Sequence, residues 1–264
     1  LHSDSPRLDA ELLLCDVLGK NRSYLFTWSD KVVDDDERQR FEVLLARRVA
    51  GEPVAHILGE RGFWTLDLKV TADTLIPRPE TELLVEAALA RLPEGGISVL
   101  DLGTGSGAIA LAIASECPAC EVVAVERSEA ALAVAHQNAR DNTIENVHFL
   151  HGSWYQPLKG ERFEMIVSNP PYICADDPHL MEGDVRFEPL TALASGADGL
   201  DDIRLIIGGA VEHLNPGGWL LLEHGYEQGK AVCGLLREAG FLAVELLFDL
   251  QGHGRVSLGR RPES

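Results

Sequence analysis

The chain has 264 residues, 45% apolar and 25% charged, the mix of a folded protein with one or two domains. Its formal net charge is −19, and neither residues 1–70 nor the remainder is basic. That weighs against a DNA partner, which needs cationic side chains to replace phosphate counterions. No run of about 18 apolar residues offers a membrane span, and the start lacks a signal-peptide pattern, so a cytoplasmic protein is expected.

Leu8, Leu12, Leu13, Val17 and Leu18 recur at helical spacing after Ser5-Pro6. Phe41, Leu44, Leu45 and Val49 repeat the pattern after the acidic stretch from Asp34 to Glu37, and Gly51 stops it. A small helical bundle is expected over residues 1–58. Phe63 to Val70 then alternates as a strand does, among the punctuating Gly59, Gly62 and Pro77-Arg78-Pro79. This predicts a short hairpin linker over residues 59–76. A helix follows Pro79, with Leu83, Leu84, Ala87 and Ala88 on one face. From residue 97 strands and helices alternate. Residues 97–102, 122–126, 147–150, 163–168 and 219–223 are short apolar runs, and 244–248 with 255–258 read as a closing antiparallel pair. The rhythm predicts an α/β domain over residues 77–264, a mostly parallel sheet covered by helices. Cys117-x-x-Cys120 has no second pair to complete a zinc site, so reduced structural thiols are expected.

Asp101-Leu102-Gly103-Thr104-Gly105-Ser106-Gly107-Ala108 follows a strand and opens a helix. Glycines allow a tight turn and close approach of a ligand to backbone, and the helix start offers free N–H groups. Glu126 ends the next strand, where a carboxylate can accept from ribose hydroxyls. Gly103, Gly105 and Ala108 also fit a dinucleotide loop. Asp101, however, stands where it would repel a pyrophosphate. S-adenosylmethionine carries an ammonium and a sulfonium and no phosphate, so an acidic strand end favours it over a nicotinamide cofactor.

Asn169-Pro170-Pro171-Tyr172 follows the strand at 163–168. Open parallel sheets bind ligands at strand carboxyl ends, so Asp101, Glu126 and Asn169 are expected on one rim. An amide or aromatic amine nitrogen is planar, weakly nucleophilic and bears two N–H donors. The Asn169 side-chain carbonyl and the Pro170 backbone carbonyl can hold both donors, and Tyr172 can stack on the planar group. Methyl transfer then needs positioning and electrostatics and no strong base.

With these motifs the chain resembles the HemK/PrmC family of release factor glutamine methyltransferases. The resemblance extends to Pro53-Val54-Ala55-His56-Ile57-Leu58-Gly59, to Ile76-Pro77-Arg78-Pro79-Glu80-Thr81-Glu82 and to Arg186-Phe187-Glu188-Pro189-Leu190-Thr191-Ala192-Leu193. It implies a class I methyltransferase domain with a seven-stranded, doubly wound sheet, preceded by a helical domain that recognises substrate. It implies, as substrate, the glutamine of the Gly-Gly-Gln motif in class I peptide chain release factors. Asp101, Gly103, Thr104, Gly105, Ser106, Gly107, Glu126, Trp154 and Asn169 would bind S-adenosylmethionine, Trp154 flanking the adenine. Asn169, Pro170, Pro171 and Tyr172 would hold the glutamine, with Asn169, Pro170 and Tyr172 catalytic. Position 126 is commonly Asp in the family, and the longer Glu alters the reach to the ribose. The rival reading is a nucleic acid amino-methyltransferase acting on adenine N6 or cytosine N4. Glu188 can contact substrate or cap a helix, and His56, His151, His224 and His253 read as structural.

Overall fold

The computed structural model describes residue 3 and residues 5–93 and 95–263. Four helices come first: α1 (Pro6–Leu18), α2 (Arg22–Thr27), α3 (Asp35–Val49) and α4 (Val54–Leu58). Pro6 opens α1, although the Ser5 side chain makes no capping bond. A capping box starts α3, Asp34 accepting from the Glu37 N–H and Glu37 from the Asp34 N–H. The short α2 and α4 carry too few turns for a readable apolar period.

The hairpin exists, but its turn lies inside the alternating run. β1 (Glu60–Phe63) pairs antiparallel with β2 (Leu66–Lys69), Phe63 opposite Leu66. Trp64 and Thr65 form the two-residue loop, Trp64 at φ 57°. Glu82 accepts the Trp64 backbone N–H at 2.9 Å, and Glu116 accepts its indole N–H at 2.7 Å. These bonds hold a bulky residue in a conformation it seldom adopts. Phe63, Leu66 and Leu68 are buried in the core of the main sheet.

The remaining chain runs α5 (Glu82–Leu89), β3 (Ser98–Leu102), α6 (Ala108–Glu116), β4 (Glu121–Glu126), α7 (Glu129–Asp141), β5 (Val147–His151), β6 (Phe163–Ser168), α8 (Asp201–His213), β7 (Leu214–Glu223), α9 (Gly229–Glu238), β8 (Leu242–Phe248) and β9 (Gly254–Arg260). The seven strands lie in the order β5-β4-β3-β6-β7-β9-β8. The first five are parallel, and β9 enters antiparallel between β7 and β8. Strand residues alternate faces, so Val99 of β3 joins one core with α5, α6 and the hairpin. Leu100 and Leu102 join another with α8 and α9. Burial on both faces is why these strands read as unbroken apolar runs. Among the described residues no helix is long and apolar enough to cross a membrane.

One expectation is corrected. Cys117 and Cys120 are paired as a disulfide across the turn from α6 to β4, their Cα atoms 5.4 Å apart, whereas reduced thiols were expected. The turn itself brings them together: the Cys120 N–H donates to the Cys117 carbonyl, and Asn146 donates to both cysteine carbonyls. Cys15, Cys174 and Cys233 are free.

Two polar contacts join the pieces. Arg48 of α3 is buried and meets Asp9 of α1 and Asp184, far along the chain, each at 2.7 Å. Asn138 of α7 is fully buried. It accepts the Lys69 N–H at 2.7 Å and donates to the carbonyls of Lys69 and Ser106 at 3.0 and 2.8 Å. One amide thereby fastens the hairpin to the glycine loop. Asn138→Ala leaves these groups unpartnered, so a loss of about 1–3 kcal/mol is expected in chemical denaturation. An unchanged unfolding midpoint would contradict this bracing role.

Candidate active site at the strand ends

The parallel strands finish at one level. Leu102 pairs with Val125 on one side and Ser168 on the other, and Ser168 pairs with Leu222. The Ser168 hydroxyl donates to the Leu102 carbonyl at 2.6 Å, tying β6 to β3 where both end. Chain leaving these ends helps to surround a cleft. Of the candidate site residues, Gly103, Gly105, Glu126, Trp154, Asn169 and Pro171 line it. Asp101, Thr104, Ser106, Gly107, Pro170 and Tyr172 do not border it.

Asp101, Thr104, Ser106 and Gly107 support the cleft from behind. Asp101 is fully buried, and the Thr104 hydroxyl donates to it at 2.6 Å. Its Oδ1 has no partner. Burial pushes the Asp101 carboxyl up to about 7, against the Thr104 bond, which favours the charge. The Ser106 carbonyl serves Asn138, and Gly107 at φ 88° starts α6. A Cβ on Gly103 would stand 3.3 Å from the Trp154 ring, so that glycine lets the indole lie against the loop. Trp154 is itself at φ 50°, a strained value for an aromatic residue, as happens where a site dictates backbone shape.

Glu126 is buried with both oxygens engaged. One accepts the Gly105 N–H and the other the Ser128 N–H, each at 2.9 Å. A carboxylate oxygen has two lone pairs, so each keeps one for a ligand. Glu126 thus shapes the glycine loop while facing the cleft.

Asn169 donates through Nδ2 to the Thr81 hydroxyl at 3.2 Å, leaving its Oδ1 as a free acceptor. The Pro170 carbonyl accepts no bond from the described residues. The Tyr172 ring, partly buried, packs against the second core, and its hydroxyl donates to Glu223 at 3.4 Å. Burial pushes that phenol well above its usual range. The Leu193 carbonyl accepts the Tyr172 and Ile173 N–H groups, and Gln228 donates to the Tyr172 carbonyl. A Cβ on Gly199 would collide with that carbonyl, which explains the glycine.

Sequence reasoning missed several walls of the cleft. Thr74 and Leu75 close one side, and Arg127, Thr191 and Ala192 another. Arg127 donates to the Thr191 carbonyl at 2.9 Å. Their only sequence signal was position: Thr74 and Leu75 precede the segment at 76–82, Arg127 follows Glu126, and Thr191 and Ala192 lie within the segment at 186–193. Those segments meet at Glu188. Its buried carboxylate accepts the Ile76 N–H at 2.9 Å and pairs with Arg78. Glu188 therefore joins two segments across the chain. His56, His151, His224 and His253 stay outside the cleft, and His224 bonds Ser257 at 2.8 Å.

The fold and the strand-end cleft define a methyltransferase. A methyltransferase small domain model matches residues 79–181. A solved methyltransferase from Pyrococcus furiosus aligns with 85% of this chain and 98% of its own, at TM-score 0.58 and 19% identity. A 16S rRNA N2 methyltransferase of T. thermophilus, solved with AdoMet and guanosine, aligns with 76% of this chain and 49% of its own, at TM-score 0.53 and 25% identity. The PrmC N-terminal domain model matches residues 1–59. A Pseudomonas aeruginosa protein named release factor glutamine methyltransferase is 57% identical over 98% of this chain and 94% of its own length. The chain belongs to the release factor glutamine methyltransferase family.

The buried Asp101 carboxyl has a consequence for stability. Its folded value lies near 7, above the ordinary 3.8. Its contribution is therefore complete below the ordinary value and is lost as pH rises through about 7. In ligand-free protein, Asp101→Asn should flatten the fall in melting temperature between about pH 5 and 8. Calorimetric melts at both values test this, and an unaltered slope would remove Asp101 from the account.

Proposed function

We propose that this chain transfers a methyl group from S-adenosylmethionine to the side-chain amide nitrogen of the glutamine in the Gly-Gly-Gln motif of class I peptide chain release factors. The observation that carries the reading is Asn169. It lines the same cleft as Gly103, Gly105, Glu126 and Trp154, and its amide is turned so that Oδ1 is the free end. Membership of the family supports the substrate.

The residues present suit the cofactor. Asp101 has an unpartnered buried oxygen beneath the glycine loop, and Glu126 keeps acceptor capacity toward the cleft. Acidic groups suit a ligand bearing an ammonium and a sulfonium and would repel a pyrophosphate. When bound, S-adenosylmethionine supplies the methyl group on its sulfonium. Trp154 would flank the adenine and Glu126 would accept from the ribose hydroxyls.

The Asn169 Oδ1 and the Pro170 carbonyl would accept the two N–H bonds of the target carboxamide. Holding both favours loss of conjugation and presents the nitrogen lone pair for in-line attack. The methylated nitrogen is briefly a very acidic cation, so water suffices to take its proton. Tyr172 would act by fixing the backbone of this loop and the face the carboxamide meets. Glycines before the target let a loop enter a narrow cleft without side-chain clashes.

We assign residues 1–58 to substrate recognition, residues 59–76 to the hairpin linker and residues 77–264 to catalysis. A translation factor as substrate makes the cytoplasm the expected location.

The decisive experiment incubates a Gly-Gly-Gln release factor and an oligonucleotide separately with labelled cofactor. Label is expected on the protein and should vanish when its glutamine is replaced by Glu, which has no N–H to donate. Label on adenine or cytosine alone would replace this reading with that of a nucleic acid enzyme. Asn169→Ala should reduce turnover by about 10²–10³-fold with little change in cofactor affinity. Glu126→Ala should weaken cofactor binding by about 1.5–3 kcal/mol in calorimetry, and unchanged binding would refute the ribose role.

A further inference from the structure

The Arg127 side chain joins two walls of the cleft. Arg127 follows Glu126 at the end of β4, and its guanidinium donates to the Thr191 carbonyl at 2.9 Å. Both residues border the cleft and both are exposed, so the bond lies at its mouth. The backbone on the Arg127 side is fixed. His151 Nε2 bonds the Arg127 carbonyl at 3.0 Å, and the Glu126 carbonyl accepts the Gly152 N–H at 3.0 Å.

On the other side, residues 189–192 form an arch between two buried feet. Glu188, at one foot, accepts the Ile76 N–H at 2.9 Å. At the other foot the Leu193 carbonyl accepts the Tyr172 and Ile173 N–H groups at 3.1 and 2.9 Å. The crown is a single 3₁₀ turn, Leu190–Ala192, with no buried residue. Ala192 donates to the Pro189 carbonyl, and Leu193 and Ala194 donate to that of Leu190. Among the described residues, the bond from Arg127 is what fastens this turn to anything beyond itself.

A turn with few buried contacts opens at low cost, without disturbing the sheet beneath it. A guanidinium donates through a rigid fork and stays charged at every working pH, so this fastening does not titrate. Arg127 is the next residue after Glu126, the one assigned to the ribose, and Trp154 borders the same cleft. The bond therefore closes the end of the cleft that would hold the adenosyl group.

We propose that Arg127 is a positioning residue that latches the 189–192 arch over the adenosyl half of the cofactor and so sets how fast cofactor and product exchange, a role that rests on the S-adenosylmethionine reading above. S-adenosylmethionine and S-adenosylhomocysteine share that half, so the latch holds both alike.

The test compares the full chain with Arg127→Met, which keeps a long side chain and removes its donors. In ligand-free protein, amide hydrogen exchange at Ala192, Leu193 and Ala194 should quicken by about 3–10-fold, the worth of one ordinary hydrogen bond. Amides of β6 should keep the parent rate, which checks that the variant is folded. Dissociation of S-adenosylmethionine and of S-adenosylhomocysteine, each followed by stopped-flow indole fluorescence, should quicken by a similar factor. Unchanged exchange in the arch would overturn the latch. Faster exchange with parent-like dissociation, or with quicker dissociation of one ligand alone, would overturn its hold on the adenosyl half. A parent chain that binds neither ligand would instead overturn the cofactor reading, and this role with it.

Discussion

Everything in the cleft depends on five parallel strands. Four of them, β4, β3, β6 and β7, finish together. Ser168 pinned to the Leu102 carbonyl fixes that common level at the centre of the sheet. Residues that follow a strand end, whatever their separation in sequence, then become neighbours in space. Gly103, Glu126 and Asn169 border one cleft for that reason. The sheet provides a straight edge, and the chemistry is written into whatever comes next along each strand.

A straight edge does not by itself make a cleft. The walls come from segments outside the sheet, and buried polar side chains hold those segments. Asn138 fastens the hairpin to the glycine loop, and Glu188 fastens the stretch at 76–78 to the one following the Asn-Pro-Pro-Tyr turn. Each replaces a backbone partner that an irregular loop lacks. The loops gain definition from long-range bonds where regular elements gain it from their own ladders.

This division explains what could be read from the sequence. The run at 163–168 and the glycine loop announce themselves because burial on both faces and positive φ each restrict residue type locally. Trp64 and Thr65 gave no such signal: their alternation continues through the turn, and what permits it is a contact with Glu82, 18 residues away. Glu188 was ambiguous because its partner Ile76 lies 112 positions earlier. The stretch at 73–75 carries no distinctive residue and lines the cleft because its neighbours are anchored. Tyr172 was expected to face a ligand; its ring is partly buried against the second core, a packing contact that a motif cannot express.

The guanidinium of Arg48 bears on how freely such a chain could be recombined. It lies buried between an acid of the first helix and Asp184, an acid from the loop beyond the Asn-Pro-Pro-Tyr turn. Helices and sheet could be regarded as interchangeable modules, since each is matched by its own family model. The shared charge makes them a matched set. A chimera that took its helices from one relative and its sheet from another would inherit a balanced joint only if both parents used the same triad. Otherwise an ion would be left without its counterion in a place water reaches poorly.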